Sequence, residues 1–235
     1  MIQELLDKKL AEIQDERKDR VRSGKISPSS LGKCFRYQYW NRKNEPVTNP
    51  PDARALRVFK VGNMLHEMIQ GLVDCECEVK FETDDELGYA DLVGDDWVAD
   101  IKSCNSKKFW FLQKEDKIPI TEREFQNFLQ VGLYAVRMNK PRCGIVFVSK
   151  DDMCMAEYWV DTEAMRPHVE AELATLKEQW EKDELPEPQP RCYPSYRTNK
   201  KTGEMERVGY KEGGYCSYKD KCLEMGWDCE KGKEV

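Results

Sequence analysis

Residues 88–103 read GYADLVGDDWVADIKS, two short runs with apolar residues on either side of Asp95-Asp96. That pair serves as a two-residue turn between two strands, although Asp-Gly or Asn-Gly would fit such a loop better. With the turn there, Asp91 lies directly across from Asp100, and moving the turn by one residue along both strands keeps them on one face. Side chains alternate along a strand, so Asp100 and Lys102 share that face too. Two carboxylates and an ammonium therefore converge on one patch. Like charges directly opposite each other destabilise a hairpin, and Lys102 alone offsets them only in part. A hard divalent ion such as Mg²⁺, held by oxygen ligands, answers the remaining charge. Such an ion activates bound water and polarises a phosphoryl oxygen, with Lys102 placed to hold the attacking water or take its proton. The same three residues also arise by chance on a solvent-exposed hairpin, so the surrounding sequence has to decide.

Working outward toward the N-terminus, residues 77–81 form another short strand. Residues 53–73 carry Leu56, Val61, Leu65, Met68 and Leu72 at helical spacing, with His66 beside that stripe. The stretch 41–52, with its three prolines, is a loop. Ser27-Pro28 is a helix start, Ser as cap and Pro in the first position, opening SSLGKCFRYQYW as a helix that carries Cys34. Residues 2–20 read as a charged amphipathic helix. Toward the C-terminus, Thr121 and Glu124 form a capping box for a helix through FQNFLQVGLYAVRM. Strands follow at 143–149 and 155–160, then a helix over 162–182 that ends at LPEPQP. The order predicts an α/β domain with a central mixed β-sheet flanked by helices. From residue 191 the chain turns to Gly, Lys, Tyr and Cys with little periodic apolar pattern.

The composition, 40% hydrophobic and 35% charged, is that of a folded protein. The net charge of −6 argues mildly against a nucleic-acid partner. The distribution argues the other way. Basic residues outnumber acidic ones over the first 43 residues and cluster again from Arg191 to Lys221, while acid gathers at 157–187 on a solvent-facing helix. No apolar run approaches the roughly 20 residues that cross a bilayer, and MIQELLDKKLAEIQDERKDR is too charged for a secretory signal. A soluble, cytoplasmic protein with no membrane partner is expected. Ten cysteines without an export signal are not a disulfide framework. Cys143 in CGIVFVS and Cys154 in CMAEYWV read as core residues of strands, whereas the cysteines near the two chain ends need another role.

Four residue pairs then occur in order: Gly62 and His66, Gly88 and Asp91, Asp100 and Lys102, Gln130 and Tyr134. This set resembles the RecB-like branch of the PD-(D/E)xK nucleases, which joins a helical Gly-x-x-x-His to Gly-x-x-Asp, Asp-x-Lys and a helical Gln-x-x-x-Tyr. The resemblance covers about residues 27–222 and implies a restriction-endonuclease-like core. It implies that His66, Asp91 and Asp100, with the backbone carbonyl of Ile101, bind the metal; an imidazole ligand admits Mn²⁺ as well as Mg²⁺. Asp91, Asp100, Lys102, Gln130 and Tyr134 would be catalytic, Gln130 and Tyr134 sharing one helix face to orient Lys102 or the scissile phosphate. Gln126 continues that face, either as part of the site or as an ordinary polar residue. Glu82, in the strand before the hairpin, is a further candidate ligand.

A subset of this branch, including the AddB-type helicase-nucleases and the CRISPR-associated exonucleases of the Cas-four type, carries a [4Fe–4S] cluster on one cysteine before the nuclease motifs and three after them. Cys34 matches the first, and Cys216 and Cys222 match the last pair with its five-residue gap. The family's remaining cysteine position is Gly213 here. Cys192 is the best substitute and Cys229 the fallback. Thiolates are the ligands such a cluster takes; a structural Zn²⁺ site or unligated thiols are the alternatives. The implied organisation is a nuclease domain over 1–190, whose N-terminal helices carry Cys34, and a cysteine-rich cluster-binding region over 191–235 packed on the N-terminal part.

The resemblance implies a metal-dependent DNA exonuclease acting on single-stranded ends in phage or bacterial recombination, replication or repair, with recombination or replication proteins as partners. The alternatives are a CRISPR-adaptation-type nuclease and a nucleic-acid-binding module of the same fold that does not cut. Tyr37, Tyr39, Trp40, Phe109, Trp110 and Phe111 interleave with basic residues and could stack bases, or pack into the core.

Overall fold

The computed structural model describes residues 1–18, 23–114, 119–188, 194–199, 201–203, 205–210, 216–229 and 233–234. Three antiparallel strands follow one another, β1 (Glu76–Glu82), β2 (Leu87–Val93) and β3 (Trp97–Cys104). Between β2 and β3 the Gly94 N–H donates to the Trp97 carbonyl at 3.0 Å, so Asp95 and Asp96 form the turn. A parallel neighbour needs a crossover, and β3 has one: α4 (Ser106–Leu112), α5 (Ile120–Arg123) and α6 (Phe125–Arg137) lead to β4 (Arg142–Ser149), which pairs parallel to β3. The antiparallel β5 (Met155–Asp161) completes a five-stranded mixed sheet in the order β1-β2-β3-β4-β5. All of β4 except Arg142 is buried, which is why RCGIVFVS is an almost unbroken apolar run.

Helices cover both faces. On one, α6 and α7 (Thr162–Lys182) build the main core, with Phe128, Leu129, Leu133, Val169 and Leu176 against Ala90, Val98, Ile145 and Phe147. Gly132 lets the two helices close up, since a Cβ there would stand 3.2 Å from Met165 and Val169. On the other face α3 (Ala53–Gln70) lays Ile69 against Leu92, Ala99, Ile101, Val146 and Val148. The N-terminal α1 (Ile2–Lys18) packs on α3, where Asp7 pairs with Arg57. Glu86, almost fully buried, takes two hydrogen bonds from Arg137 at 2.5 and 2.6 Å and so ties the end of α6 to the β1–β2 hairpin.

Four expectations from the sequence are corrected. The segment after Ser27 is not one helix. Ser27 makes no side-chain cap, Pro28–Ser30 is a single 3-10 turn, and Gly32 at φ +73° breaks the chain before α2 (Phe35–Arg42), so Cys34 stands at the helix N-cap. Thr121 and Glu124 form no capping box either. Glu124 breaks the helix at φ −118°, ψ 31°, because its carboxylate is drawn inside to Lys108 and Asn127. In α3 the buried residues are Leu65 and Ile69, while Val61 and Met68 are exposed, as is Leu72 just past the helix end at Gly71. The contact line is set by Gly62, where a Cβ would meet Ser103 Oγ at 3.2 Å, and it runs one residue round from the expected stripe. Cys154 sits just ahead of β5 and is half-buried, while Cys143 is a core residue as expected.

The C-terminal segment also holds structure with no apolar period to announce it. β6 (Pro194–Thr198) pairs with β7 (Met205–Tyr210), and β8 (Trp227–Asp228) with β9 (Lys233–Glu234). Tyr218 and Cys222, the latter in α8 (Lys219–Glu224), form a small second core with Trp40 of α2. The amides of Thr48 and Asn49 donate to the Ser217 carbonyl at 3.0 and 2.9 Å. Among the described residues no helix is long and apolar enough to cross a membrane.

Candidate active site

The last ladder pairs between β2 and β3 are Val93↔Val98 and Leu92↔Ala99. One position further, Asp91 and Asp100 stand opposite each other with no backbone pair between them. The side chain of Asp91 takes over the missing bond: Oδ2 accepts from the Ile101 N–H at 2.8 Å. Where the two strands stop pairing, residues from both faces of the sheet reach the gap. From α3 comes His66, its Nδ1 3.4 Å from Asp91 Oδ2 and its ring also hydrogen-bonded to the Ile101 backbone. From α6 comes Gln130, whose Nε2 donates to Asp100 Oδ1 at 2.7 Å and whose Oε1 accepts from Lys102 Nζ at 3.0 Å. Lys102 Nζ is 2.5 Å from Asp100 Oδ2, a close charge pair that lacks directed hydrogen-bond geometry at that oxygen. One helical turn on, the Tyr134 hydroxyl engages Gln130 and the Tyr89 backbone, and its ring meets Phe81 edge-on at 5.7 Å. His66, Asp91, Asp100, Ile101, Lys102, Gln130 and Tyr134 thus form one connected cluster.

The glycines of the pattern have steric roles. A Cβ on Gly88 would stand 2.6 to 2.8 Å from Phe81, Pro28 and Tyr134, so only glycine lets the Tyr134 ring close over β2. Gly62, one turn before His66, lets α3 approach Ser103 and so brings the imidazole within reach of Asp91.

The electrostatics follow from burial. Asp91 is pushed up to about 7, first by desolvation and then by the facing Asp100 carboxylate; the Ile101 N–H and Lys102 pull the other way. Burial holds the His66 imidazole below its ordinary value, with Asp100 opposing. Burial and then Asp100 raise the Tyr134 phenol, which stays a neutral donor.

Two residues reach the cluster without having been singled out in the sequence. Gln70, one turn after His66, donates from Nε2 to the Asp91 carbonyl at 3.2 Å and to Glu78 Oε1 at 2.8 Å. Glu78 stands across from Asp91 at a break in the β1–β2 ladder, between the pairs Cys77↔Leu92 and Val79↔Ala90, at φ +51°, a left-handed conformation rare for glutamate. It acts electrostatically on both Asp91 and His66. The spacing Gln70 to His66 (i, i+4 on the helix that carries His66) was the available signal. Glu82, the acid proposed from sequence, is instead held by Lys25 and Lys80 at 2.7 and 2.6 Å, which keep its carboxyl at about 2. Gln126 lies on the Gln130 face, and neither end of its amide has a partner among the described residues.

The second cluster is made of sulfur. Cys229 hydrogen-bonds to both Cys216 and Cys222, and Cys222 also meets the Arg36 side chain. Contact with Cys229, and then with Arg36, holds Cys222 at about 7 against the opposite pull of burial, while contacts with Cys216 and Cys222, together with burial, raise Cys229. Cys192 lies outside the described residues. Among the described residues no three His, Cys, Asp or Glu side chains are disposed to enclose a metal ion. Of the aromatic candidates, Trp40 and Phe109 are core residues, Tyr37, Tyr39 and Phe111 are half-buried, and Trp110 is exposed.

No protein-family model matches the chain, and no curated protein matches it. Among solved structures, the crystal structure of SSO0001 is 20% identical at a TM-score of 0.48, covering 77% of this chain and 91% of that one. An alkaline exonuclease from Laribacter hongkongensis, LHK-Exo, is 14% identical at 0.49 over 72% of this chain and 93% of its own. LHK-Exo in complex with dAMP is 15% identical at 0.47 over 68% and 89%.

Proposed function

We propose that this protein is a metal-dependent nuclease that hydrolyses phosphodiester bonds in DNA, with Asp91, Asp100 and Lys102 at the reacting centre. The observation that carries the reading is the Asp91–Asp100 pair, two facing carboxylates in a desolvated gap with a single ammonium against one of them. That gap favours added positive charge. Magnesium is commonly held by one or two carboxylates, several waters and the substrate's own phosphate oxygens, so two carboxylates suffice without an all-protein cage. His66, Asp91, Asp100 and the Ile101 carbonyl would hold Mg²⁺ or Mn²⁺, the imidazole favouring the latter. The ion supplies Lewis acidity toward a phosphoryl oxygen and a more acidic water.

The chain's own groups do the rest. Lys102, pinned between Asp100 and Gln130, faces the gap to hold the attacking water or receive its proton. Gln130 fixes Lys102 and Asp100 relative to each other, and Tyr134 fixes Gln130. His66, kept neutral by burial, offers a nitrogen lone pair. The preference for single-stranded ends, the setting in phage or bacterial recombination, replication or repair, and a cytoplasmic location extend this reading through the motif resemblance. So does a thiolate-ligated [4Fe–4S] cluster or Zn²⁺ on Cys34, Cys216 and Cys222 with Cys192 or Cys229, which would tie residues 191–235 to the N-terminal helices of a domain over 1–190.

The test is digestion of end-labelled single-stranded DNA with Mn²⁺ or Mg²⁺. Wild-type protein should shorten it only when the ion is present, and Asp100→Ala and Lys102→Ala should not shorten it at all. Full activity in either variant would remove this site from the reaction.

A further inference from the structure

The edge of α3 that carries His66 continues away from the gap. Phe59, Asn63, His66 and Gln70 stand at i, i+4, i+7 and i+11, in one line along the helix. At one end of that line, Gln70 and His66 reach Asp91. At the other, two turns before His66, Phe59 leaves 50% of its surface in solvent. Val61, Met64 and Met68 are exposed too, but they fall on the opposite side of the helix with Arg57, which α1 engages through Asp7. Under this end of α3 the sheet changes character. Its face is apolar along Ala99, Ile101, Val146 and Val148, and it turns polar where Ser103 and Lys150 follow. Both flank Gly62, where a Cβ would stand 3.2 Å from Ser103 Oγ and 3.7 Å from Lys150 Nζ. Lys150 Nζ donates to the Val58 carbonyl at 3.1 Å, against the backbone of Phe59, and makes no ion pair among the described residues. Its neighbour Asp151 accepts from the Ser106 N–H instead, at 2.7 Å. Burial lowers the Lys150 ammonium from its ordinary value, which Cys104 and Asp151 offset in part. A half-buried ammonium with two donors to spare and an exposed ring thus stand side by side.

We propose that Phe59, Ser103 and Lys150 form a subsite for an unpaired nucleotide beside the catalytic gap, Lys150 and Ser103 holding its phosphate and the Phe59 ring stacking its base. This rests on the nuclease reading and adds the residues that select a single strand. Gly62 lies one helical turn from His66, about 5.4 Å along the axis, and a strand carries one phosphate per roughly 3.4 Å of its own axis. A strand with a phosphate at His66 and Asp91 therefore presents a neighbouring phosphate near Lys150. A ring can stack only on a base whose face is free, and any base has such a face, so the subsite favours single strands without reading their sequence. The phosphate supplies the charge that Lys150 lacks among the described residues.

The experiment is binding, by the full-length protein in EDTA, of a dye-labelled single strand and of an abasic strand of the same length, followed by fluorescence anisotropy from about 50 to about 200 mM salt. Phe59→Ala should weaken binding of the base-bearing strand on the order of 10-fold, leave its salt dependence unchanged and leave the abasic strand unaffected. Phe59→Trp keeps a ring and should stay within about threefold of wild type. Lys150→Gln keeps a donor for the Val58 carbonyl but loses the charge. It should weaken both strands and reduce the slope of log affinity against log salt by about 0.7, the share of one phosphate on a single strand. Phe59→Ala binding the base-bearing strand as wild type does, Phe59→Ala losing as much on the abasic strand, or Lys150→Gln with an unchanged slope each overturns the proposal. Wild type that binds neither strand overturns it together with the DNA reading. A protein that behaves as expected here yet never cuts DNA with Mn²⁺ or Mg²⁺ upholds the subsite and refutes only the hydrolysis.

Discussion

Asp91 and Asp100 face each other one position past Leu92↔Ala99, the last pair of the β2–β3 ladder, and Asp91 Oδ2 sits on the Ile101 N–H at 2.8 Å. The strands stop pairing where two like charges would oppose, and the gap this leaves is reached by α3 from one face and α6 from the other. The same repulsion that interrupts the sheet makes the site.

Its first consequence is a pH dependence of stability. The Asp91 carboxyl stands at about 7 in the fold, against an ordinary value of 3.8. A carboxyl raised by folding binds more protons in the native state between those values, so stability falls as pH rises through that window and stays low above it. Below the lower value both states are protonated and nothing is lost. In EDTA at about pH 8, Asp91→Asn should therefore be more stable than wild type by roughly 1–3 kcal/mol, and the difference should vanish near about pH 4. Urea melts at the two pH values check it.

Gln130 holds Lys102 and Asp100 with one amide. On the proposed nuclease reading, Gln130→Leu should lower kcat on the order of 100-fold with KM little changed, because it would disturb the orientation of the reacting groups and not the grip on DNA. Steady-state kinetics on a labelled oligonucleotide separates the two.

Gly88 has no room for a methyl group, with Phe81, Pro28 and Tyr134 all within 2.8 Å of the added carbon. Gly88→Ala should cost about 1–3 kcal/mol by overpacking and lower activity by displacing Tyr134. Gly62→Ala, which meets only Ser103 Oγ at 3.2 Å and Lys150 Nζ at 3.7 Å, should cost much less. Thermal melts beside activity assays rank the pair.

Glu78 holds a left-handed backbone at φ +51° opposite Asp91. Glu78→Gly should raise stability by about 1 kcal/mol through relief of that conformation, while weakening Mn²⁺ binding a few-fold by removing an exposed charge, the size expected of a solvent-screened contact. Equal stability and equal binding would make Glu78 an incidental surface acid.

Much of this was legible beforehand where the signal is local. The hairpin around Asp95-Asp96, the helix over α7 and the apolar β4 follow from period, turn chemistry and length, and so does the convergence of the candidate residues from two strands and two helix faces. What escaped depends on distant partners. The helix expected from Ser27 stops at Gly32, whose neighbours are Gln126 and Leu129 of α6, nearly a hundred residues away. The capping box at Thr121 loses Glu124 to Lys108. Glu82 looked available until Lys25 took it, and Glu78 looked like an ordinary strand residue until the register set it against Asp91. Side chains recruited by another element leave no mark in the local pattern.

The most direct measurement is a calorimetric titration of Mn²⁺ into metal-free protein at about pH 6 and about pH 8, for wild type and Asp91→Asn. The account predicts saturable binding by wild type, tighter at the higher pH because the ion no longer competes with a proton on Asp91, and little binding by the variant. Equal binding by Asp91→Asn, or none by wild type at the higher pH, would contradict it.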